Sequence, residues 1–187
     1  LRNFELDPEV AYAETCAAIG LILWGQRMLE MTGNSVYADI VEKGLYNGAL
    51  SGISLDGCGF FYPNPLESRG NHARVPWFGC ACCPPNIARL IGEIGSLGVG
   101  VSEQALWINI PIGFKTTTEF NSTKVAIECK SNYPWSGSFA IEVKPEKPTQ
   151  FELRIRIPSW VDDATFDTPE GTGEAEYENG YAVIKRI

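Results

Sequence analysis

The chain has 187 residues, 44% hydrophobic and 20% charged, with 15 Lys and Arg against 23 Asp and Glu and a net charge of −8. That length suits one domain or two small ones around a sizeable core. The acidic balance argues against phosphate-backbone binding, since the longest basic grouping is Lys185-Arg186. No run reaches the roughly 18 apolar residues that span a bilayer, so neither nucleic acid nor membrane is an expected partner. The chain opens on Leu1-Arg2-Asn3 with no basic-then-apolar leader, and it stops at Lys185-Arg186-Ile187 inside a predicted strand. Both ends read as cuts, and a piece of a longer protein is expected.

The first hundred residues read mainly as helix. Ala18, Leu21, Ile22, Gly25, Met28 and Leu29 recur at helical spacing between Thr15 and Met31. Gly33-Asn34 supplies the stop. A second helix is predicted from Ser35 to Leu50, with Val36, Ile40, Val41, Leu45 and Ala49 inward. Phe60-Phe61-Tyr62 reads as a strand closed by Pro63 and Pro65, and 64–81 as irregular. A third helix opens at Pro84-Pro85, where proline suits a first turn, and runs towards Leu97.

After Gly100 the period falls to two. Leu106-Ile108-Ile110-Ile112, Val125-Ile127-Cys129, Phe139-Ile141-Val143 and Phe151-Leu153-Ile155-Ile157 each alternate with polar or small neighbours. Asn179-Gly180 marks a hairpin between Tyr177 and Val183. Short strands at this spacing predict a β-sandwich.

Six cysteines stand at 16, 58, 80, 82, 83 and 129. An even count invites a disulfide reading. Yet Cys80-Ala81-Cys82-Cys83 puts three thiols in four residues, and neighbouring cysteines bridge only with strain. Metal binding or nucleophilic chemistry suits that cluster better, and inert burial is the plainer alternative. Cys58 and Cys129 read as small hydrophobes. His72 is the single histidine, so any zinc site must be rich in thiolate. The cluster precedes a helix start, whose positive end favours thiolate. Pro84 is expected to keep Cys83 out of helical geometry. Glu14 and Cys16 reach one ion only if Glu14 lies at or before its helix start.

The stretches Ala11-Tyr12-Ala13-Glu14-Thr15-Cys16, Tyr46-Asn47-Gly48, Asn64-Pro65-Leu66 and Trp77 through Arg89, with Cys82-Cys83-Pro84-Pro85-Asn86 at its centre, resemble glycoside hydrolase family 127, the β-L-arabinofuranosidase family. Tyr133-Pro134-Trp135 and Ile155 through Trp160 look like its sandwich region. The resemblance implies an α+β chain: the end of an (α/α)6 helical barrel over 1–100, then an antiparallel β-sandwich, itself incomplete, over 101–187. It implies zinc held by Glu14, Cys16, Cys82 and Cys83, with Cys82 as the nucleophile of a retaining hydrolase acting on an arabinofuranoside-type glycoside. Zinc would keep that sulfur deprotonated near neutral pH. Glu42 and Tyr62 match sugar-contacting positions, and His72 falls where the family often has histidine. A solvated helix glutamate, a packed strand tyrosine and a surface-loop histidine are the plainer alternatives.

The family's acid/base glutamate lies further upstream of Glu14-Thr15-Cys16 than this chain extends, and neither Glu5 nor Glu9 matches its position. The chain alone is therefore expected to be inactive. A carbohydrate-binding or interaction module with purely structural zinc is the competing reading, and redox sensing by Cys80, Cys82 and Cys83 a third. The resemblance leaves room for a homodimer of the full-length parent. Reduced thiols favour the cytoplasm; zinc protects thiols in other compartments, the periplasm included.

Overall fold

The computed structural model describes residues 6–168, 171–172 and 175–186. Glu5 lies outside them. The chain divides into two compact units: residues 1–28 with 40–93, and residues 29–39 with 94–187.

The first unit is helical. Helix α1 (Thr15–Thr32) and helix α2 (Ser35–Lys43) both begin or end outside it, and α2 runs on into a π-helical stretch, Gly44–Ala49, and a short 3-10 turn, Leu50–Gly52. The second predicted helix thus changes its winding after Lys43. The inward face of α1 is centred on Thr15, Ile19 and Ile22, all wholly buried, while Leu21 is 45% exposed. Ile22, Gly25 and Leu29 lie inward as the spacing predicts, but the face is turned from Leu21 towards Thr15 and Ile19, by about 60° at 100° per residue. A Cβ built on Gly44 would meet Ile22 at 2.8 Å, and one on Gly48 would meet the Ala18 Cβ at 2.6 Å. Backbone against side chain at that distance admits only glycine. Val36, expected inward, is exposed, whereas Val41, Leu45 and Ala49 are buried as their spacing predicts.

Phe60-Phe61-Tyr62 forms no full strand. It makes isolated antiparallel bridges, Phe60 to Ile53 and to Val75, beside a Glu14–Pro63 bridge. Prolines 63 and 65 lack the N–H that would extend a ladder. Helix α3 (Cys83–Glu93) buries Cys83, Pro84, Ile87 and Leu90, and a turn of helix, α4 (Gly95–Gly98), follows in the second unit.

The second unit is a β-sandwich. Strands β1 (Val99–Val101), β2 (Ala105–Ile108), β6 (Phe151–Arg156), β10 (Tyr181–Arg186) and β9 (Glu176–Glu178) form one sheet in the order β1-β2-β6-β10-β9. Strands β3 (Phe114–Phe120), β4 (Thr123–Ser131) and β5 (Phe139–Pro145) form the second, and β7 (Asp167–Thr168) pairs with β8 (Gly171–Thr172). The pairing is antiparallel except between β2 and β6, which run parallel with Leu106 beside Leu153. The expected all-antiparallel sandwich is corrected there: a whole second sheet separates β2 from β6 in sequence, and that long crossover permits a parallel neighbour. Strand β3, Phe-Lys-Thr-Thr-Thr-Glu-Phe, went unpredicted because threonines hide its apolar alternation.

Leu106, Ile108, Phe120, Val125, Ile127 and Phe151 make the core between the sheets. Asn179 and Gly180 have φ of 50° and 79°, the two left-handed residues of a tight hairpin turn between β9 and β10. Tyr181 is wholly buried; its hydroxyl donates to Asn109 Oδ1 at 2.9 Å and its ring meets Trp107 edge-on.

Candidate metal centre

Two helix starts meet. Glu14 caps α1, its carbonyl accepting the Ala18 N–H at 3.1 Å, and Cys16 falls in the first turn. The Cys82 carbonyl accepts the Asn86 N–H at 3.2 Å, so Cys82 caps α3 and Cys83 is its first helical residue. The expectation that Pro84 would hold Cys83 out of the helix is corrected. Prolines at the next two positions cost nothing in hydrogen bonds, because first-turn N–H groups have no helical partner. Both helices direct their positive ends at the thiols, which favours negative charge.

The loop that carries Tyr62 ties the first helix start in place. Thr15 is wholly buried. Its N–H donates to the Tyr62 carbonyl at 3.0 Å and its hydroxyl to the Phe61 carbonyl at 2.9 Å. Asn64 Nδ2 donates to the Thr15 hydroxyl at 2.6 Å, and the Asn64 N–H to the Ala13 carbonyl at 2.7 Å. Sequence reading passed over Thr15 and Asn64 as supports. Their signal was in plain view, a threonine between two candidate ligands and an asparagine in a quoted motif.

Glu14, Cys16, Cys82 and Cys83 each offer one ligand atom, and all four atoms lie within 4.8 Å of one another. Cys16 Sγ stands 3.4 Å from Cys83 Sγ, Cys82 Sγ 3.7 Å from Cys83 Sγ, and Cys82 Sγ 3.7 Å from Glu14 Oε1. Thiolates about 2.3 Å from one ion at tetrahedral angles stand about 3.8 Å apart, so these spacings fit a single four-coordinate metal. They are far longer than the roughly 2.05 Å of a disulfide, and all three cysteines are free. Three sulfurs and a carboxylate form a donor set suited to zinc.

The three thiols differ. Burial alone would push Cys82 up, but hydrogen bonds from Cys16, Cys83, Tyr62 and Cys80 outweigh it and hold it below an ordinary thiol. Burial raises Cys16, against hydrogen bonds from Asn86 and Cys83. Burial raises Cys83 most, and the contacts with Cys16 and Cys82 add to it. The protein itself thus makes Cys82 the most acidic sulfur of the three.

Tyr62 stands beside that sulfur. Its hydrogen bond with Tyr12 is the largest of the influences that keep its phenol protonated, followed by burial and by Cys82. Phe78 meets its ring edge-on at 5.8 Å. Glu42, on α2, is 7% exposed, a buried carboxylate and not a solvated one. His72 Nε2 lies 3.0 Å from the Pro63 carbonyl and the imidazole stacks on Phe61 at 4.7 Å, so the ring braces the loop that bears Tyr62. Glu9 is occupied elsewhere, in an exposed ion pair with Arg69 at 2.6 Å.

Comparison with known proteins divides the chain near residue 100. Residues 2–96 match the beta-L-arabinofuranosidase GH127 catalytic domain, and 105–187 the GH127 middle domain. A non-reducing end beta-L-arabinofuranosidase of Bifidobacterium longum subsp. longum is 36% identical over 172 residues, which cover 84% of this chain and 26% of that protein. The crystal structure of a GH127 beta-L-arabinofuranosidase from Geobacillus stearothermophilus T6 superposes with a TM-score of 0.92 at 40% identity, over 98% of this chain and 31% of that one. A second solved GH127 beta-arabinofuranosidase gives 0.89 at 35% identity, over 97% and 31%. The chain therefore spans less than a third of these relatives. Its α+β architecture, a helical part followed by a β-sandwich, is shared with these GH127 structures. With both halves matched in order, this chain belongs to glycoside hydrolase family 127, the β-L-arabinofuranosidase family.

Proposed function

We propose that this chain supplies the nucleophile half of a retaining β-L-arabinofuranosidase, with zinc on Glu14, Cys16, Cys82 and Cys83 and Cys82 as the attacking sulfur. The observation that carries the reading is the convergence of four ligand atoms, three of them sulfur, within 4.8 Å. Bound zinc would supply the charge that keeps the cluster deprotonated near neutral pH. Cys82 Sγ attacks the anomeric carbon and the glycosidic oxygen leaves; water then cleaves the thioglycosyl bond with net retention. The Tyr62 phenol stabilises the Cys82 thiolate as a hydrogen-bond donor. Glu42 and Tyr62 are proposed to line the sugar subsite, with His72 holding the loop between them and the cluster.

In this reading residues 1–100 carry the metal centre and 101–187 form the sandwich. The substrate is an arabinofuranoside-type glycoside. The chain covers about a quarter to a third of its relatives, and turnover is assigned to the longer protein, with the acid/base carboxylate outside this chain.

Two measurements test the proposal. Elemental analysis of the freshly purified chain should return one zinc per chain, lost in Cys83→Ala and Cys16→Ala. A cysteine-directed arabinofuranosyl electrophile should then label Cys82 alone. Absence of zinc from fully reduced chain sinks the metal reading. Zinc without sugar labelling would leave a closed structural site on an interaction module.

A further inference from the structure

The function proposed above leaves one thiol of the Cys80-Ala81-Cys82-Cys83 run unused. Cys80 is exposed, two residues before Cys82, and lies outside the four-ligand cluster. The Cys82 N–H donates to the Cys80 carbonyl at 3.0 Å, a γ-turn about Ala81. Such a turn folds the ends of the tripeptide together, where an extended one holds its outer Cα atoms about 7 Å apart. A disulfide asks for Cα atoms about 4.4–6.8 Å apart. Both thiols are open to small reagents, Cys80 exposed and Cys82 partly so.

We propose that Cys80 and Cys82 form a dithiol modification site that hydroperoxide-class oxidants close into a Cys80–Cys82 disulfide. The exposed Cys80 sulfur attacks the peroxide; the O–O bond breaks, giving a sulfenic acid and one water. The Cys82 sulfur then attacks the Cys80 sulfur and expels hydroxide, which leaves as a second water with the remaining thiol proton. Each sulfur gives up one electron and the peroxide takes both.

Competing bridges are disfavoured by access and geometry. Cys83 is wholly buried, so oxidant does not reach it, although its sulfur is 3.4 Å from Cys16. A bridge between adjacent Cys82 and Cys83 closes a strained ring. Cys58 is exposed, with its thiol turned to its own loop at the Asp56 carbonyl, and serves as an internal gauge of oxidant dose. A bridged Cys82 has no thiolate for the metal or for a sugar. That consequence rests on the function proposed above; the bridge does not.

The test treats the purified chain with hydrogen peroxide, alkylates it, and maps tryptic peptides by mass. Residues 75–89 hold Cys80, Cys82 and Cys83 in one peptide, and Cys16 falls in another. The expected product is peptide 75–89 lighter by a pair of hydrogens, alkylated once at Cys83, with fragment ions placing the closure at 80–82 and dithiothreitol reopening it. Cys80→Ser and Cys80→Ala, at an exposed position, should fold as the parent does by circular dichroism and lose the bridge completely. A cross-link to the Cys16 peptide, a closure at 82–83, or acid oxidation of Cys80 without any closure at a dose that consumes Cys58 would each overturn the proposal. Zinc content measured on the same samples reports the function separately.

Discussion

Thr15→Val should destabilise the chain more than Thr15→Ser does, although valine keeps the volume and serine does not. The threonine hydroxyl gives one hydrogen bond to the Phe61 carbonyl at 2.9 Å and takes one from Asn64 at 2.6 Å. Valine leaves both partners without that oxygen. Phe61 and Asn64 are partly exposed, so water makes good part of the loss, and a cost of about 1–3 kcal/mol follows. Serine retains the hydroxyl and removes one methyl, worth about 1 kcal/mol. The pocket is too tight for the side chain to repack: a Cβ on Gly52 would already meet both Thr15 Oγ1 and Cγ2 at 2.7 Å. Urea unfolding followed by tryptophan fluorescence, with a slope of about 1–3 kcal/mol per molar, converts 2 kcal/mol into a midpoint shift of about 1 M. For the proposed zinc site, valine should also weaken metal binding, because the same hydroxyl registers the Glu14–Cys16 turn against Phe61 and Asn64. If valine is tolerated as well as serine, the hydroxyl bridge is not what holds the helix start, and the account of the site's rigidity fails.

Three further outcomes are expected. Gly48→Ala should cost about 1–3 kcal/mol by overpacking against Ala18; adding Ala18→Gly should recover part of it even though glycine disfavours a helix by about 1 kcal/mol, and a double variant no better than the single would refute the contact. Gly180→Ala should lower the unfolding midpoint sharply, since the residue has φ of 79° and a Cβ would overlap the Ser35 hydroxyl; a neutral result would mean that the hairpin turn is not fixed. Burial lifts the Cys129 thiol from 9.0 to about 11, so the folded chain keeps a proton that the unfolded chain releases. Its stabilising contribution is complete below pH 9 and is lost as pH rises towards 11, by at most about 3 kcal/mol; the stability gap between the parent and Cys129→Ala should therefore narrow over that window, and a constant gap in paired urea titrations would show the thiol to be unperturbed.

Sequence by itself determined the elements whose signals are local. The helical spacing from Thr15, the Gly33 stop, the period-two runs in β4, β5 and β6 and the Asn179-Gly180 turn each depend on residues a few positions apart, and steric and hydrophobic preferences act at that range. The chemistry of the candidate ligands was legible too, because three thiols in four residues with a single histidine elsewhere leave few metal donors to choose from. Only the tertiary structure decided the rest. Glycines 44 and 48 lie close against Ile22 and Ala18 of α1, and the winding between them is π-helical, neither of which the periodicity records. Placement of Tyr62 against Cys82, Glu42 in the interior, and Thr15 and Asn64 as the brace needs residues about twenty to fifty positions apart to find one another. The parallel entry of β6 beside β2 is likewise a long-range pairing. Such contacts are selected by how surfaces pack and by which buried polar groups find partners, and neither quantity exists until the chain has folded.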